Sequence, residues 1–315
     1  MAASGCQPDF GVRASEVQSL RVLAVRADPP EAAPGATVSY RALAVDGKGP
    51  RDDAPIDWAY CKKQKALAEL DDADPLCFVL TADYLVPLSK GTSTSGKIPS
   101  DACSLFGPNV PPAQPGMPPG RPVDPDATGG FYQPLRLILP DPSDAQFPDV
   151  LALGESRVGC GLSGATAEAI KDFTANYRVN ANPALAQVSV VGSGAALTPG
   201  DGKGAALTVD HGAKTTLRAA WADCPTQAAC GGAETYVHYD PSAGMIEHPR
   251  EVLTVAWFAT AGAFDAESTS APSVTDLHVD NAWTAPAAAG PVTLWVVLRD
   301  DRGGVSWERY AVTVR

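Results

Sequence analysis

The segment 251–315 constrains the fold more than any other. EVLTVAWFATAGAFD leads through a polar middle to GPVTLWVVLRDDRGGVSWERYAVTV, where runs of β-branched and aromatic residues are broken by glycine turns. Gly303-Gly304 separates two such runs, which is a hairpin signal, and the spacing of the apolar residues does not fit a helical stripe. A chain ending this way must bury sheet faces against other sheets. At 315 residues it is too long for one ordinary sandwich, and 29 Gly and 29 Pro favour turns over helical bundles. Hydrophobic residues at 45% are enough for packed cores.

The same alternation begins near the other end. Residues 1–18 are expected to form a tether. SLRVLAVRA from Ser19 and GATVSYRALAVD from Gly35 read as half-buried strands on either side of the turn-forming DPPEAAPG. Ile56-Asp57-Trp58-Ala59-Tyr60-Cys61 is a third strand with a tryptophan to bury. KKQKALAELDDAD has helix-forming composition and is stopped by Pro75, and CFVLTADYLV fits either a strand or a short helix. Residues 87–130, with PNVPPAQPGMPPGRPVDPD, cannot make a core of their own and are expected to wrap the surface or move. FYQPLRLIL and VLALGESRVGC return to strand character. GATAEAIKDFTANYRV reads as an amphipathic helix with Ala167, Ile170, Phe173 and Tyr177 on one face. Asn180-Ala181-Asn182-Pro183 is the expected linker. The division is therefore 19–182, carrying an insertion at 61–130, and 183–315.

An internal repeat supports two related units. PGATVSYRALAVD (34–46) aligns without a gap on HGAKTTLRAAWAD (211–223), sharing Gly-Ala, Arg-Ala and the final Asp. Each copy precedes a tryptophan strand, Trp58 in one and Trp257 in the other. From Trp257 on, the pattern resembles the polycystic-kidney-disease-type (PKD) and related immunoglobulin-like domains of bacterial surface proteins. Trp257, Gly262, Gly290, Val292 to Leu298, Asp300, Gly303-Gly304 and Ala311 to Val314 carry that resemblance. The acidic turn that follows the tryptophan in that family is Phe258-Ala259-Thr260-Ala261-Gly262 here, so no role of those acids is carried over. The resemblance covers roughly the last seventy residues and extends to residues 19–60 only through the repeat. Together with the strand, insertion and helix patterns, the expected fold is all-β: two immunoglobulin-like β-sandwich domains, the first with a long Pro/Gly-rich, disulfide-pinned insertion and a connecting helix. The whole chain also resembles uncharacterised bacterial lipoproteins, a group that implies no activity.

Cysteine usage and charge bear on compartment and partners. Ala2-Ala3-Ser4-Gly5-Cys6 resembles the tail of a bacterial lipoprotein signal, although Ala3 stands where Leu is usual; the other reading of Cys6 is an ordinary N-terminal cysteine. The remaining six, Cys61, Cys77, Cys103, Cys160, Cys224 and Cys230, form an even set with fifteen connectivities open to it. Proximity favours Cys224 with Cys230 and Cys61 with Cys77, leaving Cys103 with Cys160. No C-x-x-C spacing points to a metal finger instead, so an oxidising compartment is expected. A net charge of −12 disfavours nucleic acid and anionic membranes as partners. No apolar run of about 18 residues is present to span a bilayer.

The chemistry-bearing motifs are weak. Gly91-Thr92-Ser93-Thr94-Ser95-Gly96-Lys97 spells GxxxxGK, but Ile98 and Pro99 follow where a phosphate loop needs a hydroxyl and a helix. A surface loop is expected there. Asp124, Asp126 and Thr128 have the oxygen spacing of a calcium loop, with Leu135 where the closing glutamate belongs. Calcium is thus the one cofactor the sequence leaves open, against ordinary Asx turns. Asp276, His278 and Asp280 would share one strand face, as would His238 and Asp240, and solvated strand faces explain both. Nothing resembles a nucleophile elbow or a zinc-protease helix. Trp221, Trp283 and Tyr236 lie nearest loops and are the aromatic candidates for ligand contact.

The expectation is a protein without catalytic activity. It would be extracytoplasmic, lipid-anchored at Cys6, and would serve adhesion, surface scaffolding or assembly with another envelope protein. The alternative is a carbohydrate-binding module of a secreted system, with a glycan as partner. The insertions 61–130 and 224–250 are where a working surface is expected.

Overall fold

In the computed structural model, which describes residues 13–63, 73–79, 81–108, 127–142, 149–200, 207–224 and 230–315, the alternating segments form two facing pairs of sheets. The first pair is built from β1 (Arg21–Asp28), β2 (Glu31–Ala32), β3 (Thr37–Asp46), β4 (Gly49–Pro50), β5 (Asp57–Cys61), β6 (Leu85–Pro87), β7 (Ser93–Lys97), β8 (Gly130–Pro140) and β9 (Asp149–Gly159). β3 pairs antiparallel with β1, β4 and β7, and the facing sheet runs β2-β9-β8-β5-β6 with β2 parallel to β9. The second pair comprises β10 (Gln187–Val190), β11 (Leu207–Val209), β12 (Lys214–Ala220), β13 (His238–Asp240), β14 (Met245–Glu247), β15 (Thr254–Ala259), β16 (Ala263–Phe264), β17 (Ser268–Ser270), β18 (His278–Thr284), β19 (Gly290–Arg299) and β20 (Val305–Val314). One sheet runs β10-β12-β18-β16, its partner runs β11-β20-β19-β15-β17 with β11 parallel to β20, and β13 and β14 form a separate hairpin.

The fold is an all-β sandwich architecture, and its two halves repeat one plan. β1-β3-β7 corresponds to β10-β12-β18, and β2-β9-β8-β5-β6 to β11-β20-β19-β15-β17, down to the parallel first strand of each larger sheet. The shared Gly-Ala of the sequence repeat has a local reason. Gly35 and Gly212 take φ of 78° and 69° in the turns before β3 and β12, a left-handed conformation that disfavours a side chain. Trp58 and Trp257 occupy equivalent strands, both fully buried, with indole N–H groups bonded to the Gly91 carbonyl at 2.7 Å and the Thr269 hydroxyl at 2.9 Å.

Each half has its own core. Val38, Tyr40, Ile56, Trp58, Leu135 and Leu137 fill the first, and Leu217, Trp257, Phe264, Trp283, Leu294 and Tyr310 the second. Burying each large side chain contributes on the order of 1.5–3 kcal/mol. Three disulfides close Cys61 to Cys77, Cys103 to Cys160 and Cys224 to Cys230.

Several expectations are corrected. Arg13 to Gln18 is no free tether: Val17 N–H donates to the Ala259 carbonyl, Ala259 N–H donates to that of Ser15, and Val17 is fully buried. Within the Pro/Gly-rich insertion, the expected surface loop at Gly91–Lys97 contains β7, because β3 offers it an edge and Thr94 packs inward. Ile98, Ala102 and Cys103, the latter two in helix α1 (Ala102–Leu105), join the first core. CFVLTADYLV contributes a 3₁₀ turn at Pro75–Phe78 and β6. Helix α2 (Ala167–Asn176) buries Ala169 and Phe173, while Ile170 is 37% exposed rather than on the packed face. The expected helix after Lys63 and residues 109–126 lie largely or wholly outside the described residues.

Candidate functional site

The connecting segment 178–182 sits in a buried polar cluster. Glu31 opens β2 and faces Arg157 on β9, with Arg157 Nε 3.3 Å from Glu31 Oε2. The Tyr177 hydroxyl at the end of α2 donates to the other Glu31 oxygen, and Asn180 N–H donates to Oε2 at 2.9 Å. On the opposite side, Asn180 Nδ2 reaches both oxygens of Asp300 at 3.4 Å. Asp300 also accepts from the Gly304 and Arg302 amides at 2.7 and 2.9 Å, the Asp-before-glycine turn made by the β19–β20 connection. Arg302 Nε donates to Glu251 at 2.7 Å, its Nη2 lies 3.4 Å from Glu234, and its guanidinium covers the Tyr236 ring at 5.0 Å. Ala181 N–H reaches Glu234, and Asn182 bridges the Ala27 carbonyl and the Val305 amide.

Glu31, Arg157, Glu234, Glu251 and Arg302 are each at most 3% exposed. Three carboxylates are therefore paired with two guanidiniums out of water, Glu31 with Arg157 and Glu234 and Glu251 with Arg302, and the acids respond. Burial pushes Glu251 up to about 8 despite Arg302, with the nearby Asp300 adding to the rise. Burial also raises Asp300 and Asp301 against the amide bonds they accept. Desolvation is the largest effect on Arg157 and lowers it, but Glu31, Tyr132 and Tyr177 together outweigh it, so its net shift is upward. The arrangement holds orientation, because breaking one member of such a pair costs about 3–5 kcal/mol.

An apolar seam continues the junction. Val17, Leu23, Ala24, Leu43 and Val45 meet Ala256, Trp295, Val297 and Val305, with Phe258 and Trp307 at the edge. Arg299 Nη2 crosses it to the Leu23 carbonyl at 2.7 Å. Where the seam ends, a cleft of ≈ 470 Å³ opens between the halves, lined by Arg41, Asp52, Trp295, Trp307, Glu308 and Arg309 among others. The Trp295 indole N–H is buried without an acceptor.

The aromatic and metal candidates named from the sequence do not form a site. Trp221 and Trp283 are core residues, 4% and 0% exposed, because β12 and β18 turn them into the second sandwich, so neither has a face for a sugar. Tyr236 is half-buried beneath Arg302. Thr128 receives Arg157, with its hydroxyl 2.8 Å from Nη2, and a guanidinium there opposes a cation; Asp124 and Asp126 lie outside the described residues. Asp280 is paired bidentately with Arg218 at 2.8 Å, and Asp276 caps a turn at Ser273. Among the described residues no group of three metal-ligating side chains occurs. Cys6 lies outside the described residues. The loop at 230–250 packs over the junction through Glu234 and Tyr236, so this expected working surface serves orientation. The expected linker is instead the centre of the site, a role signalled only by the polarity of Asn180 and Asn182.

No family profile matches the chain, and no curated protein does. Among solved structures, dimeric latent PorU from Porphyromonas gingivalis aligns at 10% identity and a TM-score of 0.22, over 95% of this chain and 24% of that one. The Yersinia pseudotuberculosis adhesin InvE aligns at 10% identity and a TM-score of 0.23, over 93% and 58%. Escherichia coli alpha-2-macroglobulin aligns at 13% identity and a TM-score of 0.19, over 96% and 22%. The chain spans less than two thirds of each, and superpositions this loose carry no argument about it.

Proposed function

We propose that this is a non-enzymatic, extracytoplasmic bacterial protein, lipid-anchored through Cys6, that presents a rigid β-scaffold for adhesion, surface scaffolding or assembly with another envelope protein. The observation behind this reading is the junction: the two sandwich halves meet along an apolar seam, and the connecting segment is hydrogen-bonded to buried charged groups of both, with three disulfides within the halves. Such a body is suited to holding surfaces at a fixed spacing, and the bridges suit an oxidising compartment. Fractionating the producing cells and weighing the native protein tests it. The expected result is recovery with the envelope, six cysteines inert to alkylation and a lipid mass on Cys6. Recovery from the cytosol with every thiol reactive would sink the proposal.

A second reading, a glycan-binding module, loses Trp221 and Trp283 but is favoured by the cleft at the junction rim with Trp307 and its charged neighbours.

A further inference from the structure

The outer face of the β1–β3–β7 sheet changes character along its length. Leu23, Ala24, Leu43 and Val45 belong to the apolar seam covered by the second half. Past the seam, the register sets Arg26 directly opposite Arg41, and Arg41 opposite Ser93; the next outward row is Asp28, Ser39 and Ser95. These two rows line an open concavity of ≈ 650 Å³ that shares Arg41 with the cleft between the halves.

Two guanidiniums facing each other on paired strands repel, so the arrangement works against stability. Among the described residues Arg26 has no carboxylate or carbonyl partner, and Arg41 makes no direct ion pair but lies over the Trp307 ring at 4.7 Å, with its charge felt by Glu308. Asp28 pairs with neither. The hydroxyls of Ser39, Ser93 and Ser95 likewise have no protein partner among the described residues, whereas Ser89 and Thr94 bond to each other at 2.7 Å. Arg26 thus breaks a local rule without internal compensation, and such a feature is where a ligand is expected.

We propose that this shelf binds an acidic saccharide, its carboxylate held by Arg26 and Arg41 and its hydroxyls by Ser39, Ser93, Ser95 and Asp28. Two adjacent guanidiniums match a carboxylate's paired oxygens. The Asp28 row selects the rest of the ligand, since a carboxylate repels a compact dianion yet accepts from sugar hydroxyls. The lining is hydroxyl and charge rather than apolar, which does not suit an acyl chain. The chain's net charge of −12 opposes long polyanions. The inference names a partner class for the surface-binding reading above and rests on that reading only for its biological setting.

Calorimetric titration of the purified full chain tests it, with trigalacturonate, its neutral methyl ester and sodium sulfate as probes. Saturable binding of trigalacturonate is expected, with the ester and sulfate at least tenfold weaker. Arg26→Gln should weaken trigalacturonate binding about tenfold or more, the loss of one charge-assisted interaction, while leaving Tm unchanged or higher because the opposed charge is gone. Ser93→Asp, which supplies Arg41 with an internal carboxylate, should abolish binding. Absence of binding, equal binding of acid and ester, sulfate binding as tight as the saccharide, or an Arg26→Gln variant that binds normally or melts earlier would each overturn the proposal. Because the assay uses purified protein, its failure leaves the compartment question to the fractionation experiment.

Discussion

Glu251 shows how a single buried carboxyl couples this fold to pH. It faces Arg302 and the Glu234 amide, with the carboxyls of Asp300 and Glu234 close by. Its ordinary value of 4.5 is raised to about 8 in the fold, so between those values the folded chain holds a proton that the unfolded chain releases. Stability contributed by that proton is complete below the ordinary value and is lost as pH rises through the folded one. The melting temperature should therefore fall between pH 5.5 and 8.5, by on the order of 5 °C. Glu251→Gln should flatten the dependence. Scanning calorimetry in matched buffers decides it: equal slopes for the two proteins would show that the junction holds no extra proton. At this scale only the turn is legible in the sequence. Asp300 before Gly303-Gly304 is recognisable as a loop stabiliser, but its ties to Asn180 and Arg302's partners join positions scattered from 31 to 304. Ionic partners so far apart in sequence leave no periodic trace.

At the scale of elements, the strands whose side chains bury strongly were legible. β5, β8, β15, β19 and β20 are rich in Val, Leu, Trp and Tyr, and their own composition declares them. β7 was not legible, because Ser-Thr-Ser-Gly-Lys has little strand character and becomes one only beside β3. Its pinning also explains where the cross-links matter. Cys103–Cys160 closes a loop with a sequence separation of 57 and ties α1 to the end of β9, against 16 for Cys61–Cys77 and 6 for Cys224–Cys230. Loop-closure entropy assigns them roughly 4, 3 and 2 kcal/mol. Paired Cys→Ser variants unfolded in urea should follow that order of loss. Should the Cys224–Cys230 pair prove the costliest, chain entropy would not be what these bridges contribute.

For the molecule as a whole, the sequence suggests two units and a linker, whereas the structure joins the halves through an apolar seam and through a connecting segment hydrogen-bonded to the buried ion pairs of each. The seam carries Trp295 and Val297 fully buried, and the junction buries Glu31, Arg157, Glu251 and Arg302. Separating the halves would expose all of them at once, and uncompensated buried charge is costly to rearrange. Calorimetry of the intact chain should accordingly show a single cooperative transition rather than two resolved ones, with the same midpoint by tryptophan fluorescence and far-ultraviolet dichroism. Two separated peaks would contradict a tight junction. The repeated topology was half visible beforehand: the Gly-Ala turn and the tryptophan strands marked it, while β2, β11 and β7 are too short or too polar to reveal their part.

The docked segment at Arg13–Val17 has a consequence for timing. Arg13 bonds the Phe264 carbonyl and Ala14 the Glu267 side chain, positions 251 and 253 residues downstream. During synthesis these early residues have nothing to bind until most of the chain has left the ribosome. Docking of Arg13–Val17 must therefore wait until residues 259–267 have been made, and the segment stays accessible while the intervening chain is synthesised.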